Sequence, residues 1–219
     1  MFRAGNNVCA ALITGAIMWL GCSSPQVNMG RGTRSFQPYD YQEVFNTWSR
    51  EFQILPVDGI ENILTARGTY LSREFRAAYV ARVAYDLRLS PAERQDLHDQ
   101  QHSAGNESHE FFITLMSGVS KIDDLDPEKG TWHIRLEDDS GRQVAPTSIQ
   151  EIKKPSVSET KYFGFDKAHR KAYRIFFPLA ADDGSPLFTE STRFFSLAFS
   201  SALGQGTMQW ETTVSGKEE

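Results

Sequence analysis

The stretch TWHIRLEDDSGRQVAPTSIQEI, Thr131 to Ile152, decides how the chain is expected to fold. Trp132, Ile134 and Leu136 alternate with His133, Arg135 and Glu137, the period of a strand with one buried face. DDSGR, Asp138 to Arg142, supplies turn chemistry, and QVAPTSIQEI returns as a second strand, so the segment reads as a hairpin. Pro146 lies within that returning strand. Proline has no N–H to give to a ladder, which predicts an edge position.

Working outward, HEFFITLM (109–116), KAYRIFFPL (171–179), TRFFSLAFS (192–200) and TMQWETTV (207–214) are further apolar or alternating runs, separated by turn-rich segments such as AADDGSPLFTES. IENILTARGTYLS (60–72) reads as an earlier strand. Helical periods appear only ahead of residue 109. In DYQEVFNTWSREFQIL, Tyr41, Val44, Phe45, Trp48 and Phe52 share one helical face, and Asp40 and Glu43 have capping-box spacing. In REFRAAYVARVAYDL, Phe75, Tyr79, Val83 and Leu87 form an i+4 ridge, with Arg73, Arg76, Arg82 and Arg88 expected around the polar side. SPAERQDLHDQQ opens a second helix, with Ser90 as cap, Pro91 at the first position and Glu93 completing the box. The expected architecture is α+β: mainly an antiparallel β-sandwich of immunoglobulin-like size, with an N-terminal helix at about 40–53, a helical pair inserted at 73–103, and a β-rich 109–215.

Composition narrows the function classes. The 219 residues, 40% hydrophobic and 23% charged, suit one domain with a substantial core. The formal charge is −5, and −6 without residues 1–21, whose only charged side chain is Arg3. With no block of Lys and Arg, the chain lacks the electrostatic footprint of a nucleic-acid binder. Its two cysteines are Cys9 and Cys22, so beyond Ser23 neither a disulfide nor a cysteine-based zinc or redox site is available.

Arg3 is also the only charge before residue 31, and Val8–Leu20 is an apolar and small-residue run of 13 residues. That is shorter than the roughly 20 residues a spanning helix needs, and it suits a signal-peptide core. It leads into AIMWLGCSSP, Ala16 to Pro25, where Gly21 precedes Cys22. This pattern resembles the lipobox of bacterial lipoproteins, with Trp19 and Leu20 standing where that pattern usually has Leu and a small residue. The resemblance implies a signal peptide at 1–21, acyl chains including palmitate on Cys22, a flexible tether over 22–39 and a single periplasmic domain over 40–219. Ser23 and Ser24 follow Cys22 without the Asp that retains many such proteins in the inner membrane. The implied address is therefore the outer membrane, facing the periplasm or the cell surface. The hairpin at 131–152 is similar to a segment of uncharacterised envelope lipoproteins, a likeness that brings no activity with it.

Three sets of residues are candidate sites. LHDQQHSAGNESHE places His98 and His102 at i, i+4 with His109 close behind, a conceivable set of metal ligands. However, Asp99 stands where the zinc-protease motif requires Glu, so metal-dependent catalysis is disfavoured. The acidic runs at Asp123, Asp124 and Asp126 and at Asp182 and Asp183 lack the ligand spacing of a calcium loop and read as turns. No Gly-x-Ser-x-Gly elbow or phosphate-binding glycine loop occurs. YFGFD, Tyr162 to Asp166, puts Tyr162, Phe163 and Phe165 in what reads as a loop, where exposed rings would anchor a partner. The resulting expectation is a non-enzymatic protein without cofactor, anchored to the membrane through lipid on Cys22 and binding another envelope component. The alternative is a metal-binding protein or metal-dependent enzyme using His98, His102 and His109.

Overall fold

The computed structural model describes residues 25–29, 35–56, 62–117, 122–129, 131–165, 171–189 and 191–213. Cys22 lies outside them. Among the described residues the fold is α+β, with two antiparallel sheets and four α-helices. The strands are β1 (Ser49–Ile54), β2 (Leu64–Tyr70), β3 (His109–Met116), β4 (His133–Asp138), β5 (Gln143–Val144), β6 (Ser148–Glu151), β7 (Lys171–Phe177), β8 (Phe194–Ser201) and β9 (Gly204–Glu211). One sheet has the order β1-β2-β3-β7-β6, the other β5-β4-β8-β9. The helices are α1 (Tyr41–Trp48), α2 (Arg73–Leu87), α3 (Pro91–Glu107) and α4 (Val157–Tyr162).

Strand periodicity sets the layering. In β3 every residue from His109 to Leu115 is buried, so this central strand works on both faces. On one face Phe111, with Tyr70 and Phe177 beside it, meets the second sheet, where Phe195 and Trp210 stack at 5.1 Å and Trp210 lies 5.5 Å from Phe111. On the other face Phe112 stacks on Phe163 at 4.2 Å beneath the helices. The second sheet alternates cleanly: Phe195, Leu197 and Phe199 point inward, while His133, Arg135 and Glu137 occupy the opposite face. Together these contacts form a sandwich-like pair of sheets with a helical layer on the larger one.

Four expectations need correction. The first helix stops at Trp48. Phe52 continues its spacing, but Arg50, Phe52 and Ile54 also alternate with Ser49, Glu51 and Gln53, and pairing with β2 from Ser49↔Thr69 to Ile54↔Leu64 selects the strand. The returning strand of the hairpin breaks at Ala145 and Pro146. Its halves, β5 and β6, lie at the edges of different sheets, so the proline sits where the chain crosses between layers. Arg76 is buried instead of joining the polar side of α2, while Leu87 is exposed. Of the tether expected over 22–39, the described part is seated on the domain at Val27, which is 0% exposed. Val27 donates to the Glu211 carbonyl at 2.7 Å and accepts from the Thr213 N–H at 2.8 Å, and Arg50 donates to the Pro25 carbonyl at 2.7 Å.

Gly204 fixes the seam where β9 passes the end of β1. Its φ of +144° favours glycine, and an added Cβ would lie 2.7 Å from Ile54 Cγ2. Gly204→Ala is therefore expected to lower stability by about 2–3 kcal/mol, read as a lower urea midpoint with an unchanged slope.

Candidate functional site

The cleft between α2 and α3 is the most developed site. α2 is capped by Ser72, whose hydroxyl accepts from Phe75 N–H, and it ends at Arg88 in the left-handed conformation. α3 begins two residues later with the reciprocal Ser90–Glu93 capping box. Unlike α2, α3 buries none of its residues fully; Leu97 alone of its large apolar side chains packs, partly buried, against the core. Polar contacts with α2 supplement that limited apolar seat.

Those contacts start from a buried ion cluster. Glu110 of β3 accepts from Arg76 Nη2 at 2.6 Å, and both side chains are 5% exposed. Arg174 of β7 donates to the other Glu110 oxygen and reaches Glu159 of α4 at 3.2 Å. Burial works against the Arg174 charge, but the Glu110 and Glu159 carboxylates outweigh it and raise its pKa. Arg76 also gives Nε to the Leu71 carbonyl and Nη1 to Gln101 Oε1, both at 2.9 Å. The second contact ties α3 to the cluster. Nearer the end of α3, Arg73 donates to Asn106 Oδ1 at 3.0 Å, and the Asn106 amide reaches His102 Nδ1 at 3.0 Å.

A cavity of about 210 Å³ opens beside these contacts, lined by Arg73, Arg76, His98, Gln101 and His102 over a floor that includes Ala77 and Val80. Gly105 completes it: an added Cβ there would sit 3.3 Å from Arg76 Nε. Two of the predicted histidines thus face one cavity, with ring centroids 6.2 Å apart and His98 Nδ1 3.2 Å from Asp99.

His109 does not join them in a three-histidine metal site. It begins β3, its Nδ1 shares a 2.8 Å hydrogen bond with the Tyr70 hydroxyl, and Phe188 packs 4.4 Å from its ring. Among the described residues, no group of three or more His, Cys, Asp or Glu side chains is arranged to hold a metal ion. Sequence proximity misled here because the helix and the strand carry their side chains to different layers. The acidic runs act as turns: Asp124 pairs with Lys129 and accepts from Asp126 N–H, while Asp183 accepts from Ser185.

The aromatic trio also needs correction. Tyr162, Phe163 and Phe165 are 4%, 5% and 6% exposed, so they do not form an exposed anchor. Only Tyr162 of the trio is helical, as the last residue of α4. Ser156 and Glu159 form a capping box that starts α4, and the short helix turns the rings onto α1, α2 and β3. Tyr162 donates to Asp86 at 3.0 Å, and burial followed by that carboxylate pushes its phenol up to about 12. The signal was present in the sequence, since Ser156-x-x-Glu159 has capping-box spacing. The pairing of Arg76 with Glu110 had no comparable local signal.

No family model matches the chain, and no curated protein is similar to it. The site is therefore read from its own geometry.

Burial lowers the His109 pKa from 6.5 to about 4, and Nε2 has no hydrogen-bond partner among the described residues. Between those two values the unfolded chain takes up a proton that the folded chain refuses. This contribution to stability is intact above about pH 6.5 and declines as the pH falls toward 4, by about 3 kcal/mol in all. Urea titrations across that window should show the decline in the wild type, and His109→Phe should lose that part of the slope.

Proposed function

We propose that the chain is a lipid-anchored protein of the bacterial cell envelope with a non-catalytic binding role, held in the outer membrane through acylated Cys22. We read its fold as an immunoglobulin-sized sandwich with an N-terminal helix and an inserted helical pair. The observation that carries the proposal is AIMWLGCSSP, in which a lone thiol follows a short apolar run and Gly21. A diacylglyceryl group on that thiol, with two acyl chains, would make the attachment stable where one chain would be marginal.

The seat of Pro25 and Val27 beside β1 and β9 supports this reading. Only Ser23 and Ser24 separate Cys22 from Pro25, a contour of about 10 Å at full extension. An anchor there would hold that edge of the sandwich against the bilayer and leave the helical layer to meet other envelope components. Among the described residues, no helix is long and apolar enough to cross a membrane.

The test is to express the full chain and its Cys22→Ala variant in a Gram-negative host with clickable palmitate, then to separate the membranes. Label in the outer membrane on the wild type alone is the expected result. An unlabelled periplasmic product from both would contradict the anchor and point to Trp19 and Leu20 as residues that spoil processing.

A further inference from the structure

The chemistry of the α2–α3 cavity follows from its hydrogen bonds. A guanidinium has only donors, so the Asn106 atom facing Arg73 is the amide oxygen and the one facing His102 is the NH2 group. His102 Nδ1 is then an acceptor, and the neutral ring carries its proton on Nε2. By the same reasoning Arg76 occupies the Gln101 oxygen and leaves its NH2 group. The two arginines therefore leave both neighbouring side chains with donors to offer. Among the described residues Arg73 makes no ion pair and donates to Asn106, so it adds further N–H groups and a positive charge, whereas the Arg76 charge is already met by Glu110. Among the described residues no Asp or Glu lines the cavity; Glu110 reaches it only through Arg76, and Asp99 only through His98.

We infer that this cavity binds a small organic anion, whose carboxylate or phosphate oxygens accept from Arg73, Gln101 and His102 while its apolar end rests on Ala77 and Val80. A volume of about 210 Å³ fits such a ligand. It is the liquid volume of about seven waters and lies below the roughly 300 Å³ at which pockets for drug-sized ligands begin. A divalent metal fits poorly, because the Arg73 charge faces the same space and the His102 tautomer presents an N–H. The inference is independent of the lipid anchor, since every group it uses belongs to the folded domain.

Calorimetric titration of the full chain with hexanoate, inorganic phosphate and hexylammonium tests it. Hexanoate matches the cavity in size, and hexylammonium keeps the chain but reverses the charge. Saturable binding of hexanoate alone identifies a carboxylate site, saturable binding of phosphate alone identifies a phosphate site, and hexylammonium should give no saturable heat. Arg73→Ala and His102→Ala should each weaken the bound anion by at least about tenfold, whereas His133→Ala on the second sheet should leave it unchanged. The inference is overturned if neither anion binds at millimolar concentration, if hexylammonium binds equally well, or if both cavity variants bind like the wild type. The ammonium comparison uses only wild-type protein, so it holds even if a substitution disturbs α3.

Discussion

The Glu110 carboxylate, buried between Arg76 and Arg174, is the constraint on which the helical layer depends. Its two oxygens take one guanidinium each, and Arg174 passes the second half of its charge to Glu159. The cluster thus joins β3, α2, β7 and α4, with two positive and two negative groups. Desolvating such charges is unfavourable, and the buried pair is tolerable only while its partners remain in place. Removing one partner leaves a buried charge without compensation, which typically costs about 3–5 kcal/mol. The apolar core between the sheets does not share this vulnerability, because stacking of Phe195 on Trp210 and burial of Phe111 and Phe177 involve no charge.

From this cluster the order passes outward through hydrogen bonds to α3. Arg76 is held on one side by Glu110 and the Leu71 carbonyl, so its remaining arm meets Gln101 in a fixed direction. Since α3 buries no residue fully and seats only Leu97 partly against the core, that arm and the Arg73–Asn106 contact help to fix how it lies against α2. A helix attached in this way moves more easily than one with a buried stripe. A ligand in the cavity would add contacts to both helices, coupling occupancy to the order of α3.

Much of the fold was legible in the sequence because its signals are local. The alternation in Trp132–Glu137, the continuous apolar run of β3 and the Ser90–Glu93 box each state a strand or a helix start without reference to distant residues. The misreadings arose where two local patterns coexist or where the deciding partner is remote. Ser49–Ile54 satisfies both helical and strand spacing, and only β2 resolves it. Tyr162, Phe163 and Phe165 look stranded in a short polar segment, but all three are buried, with Tyr162 turned onto Tyr41 and Phe163 onto Phe75 and Phe112. Of the candidate site, His98 and His102 could be named from their spacing. The pairing of Arg76 with Glu110, 34 residues away, could not, and it fixes the guanidinium that meets Gln101 at the cavity.

Amide hydrogen exchange on the wild type and on Glu110→Gln tests this account most directly, because the substitution removes the charge and keeps the shape. The predicted result is a loss of protection, by about tenfold or more, in α2, α3 and α4 together, with protection in β4, β8 and β9 unchanged. A loss spread evenly over both sheets and all helices, or no loss in the helices, would contradict the claim that one buried carboxylate holds the helical layer.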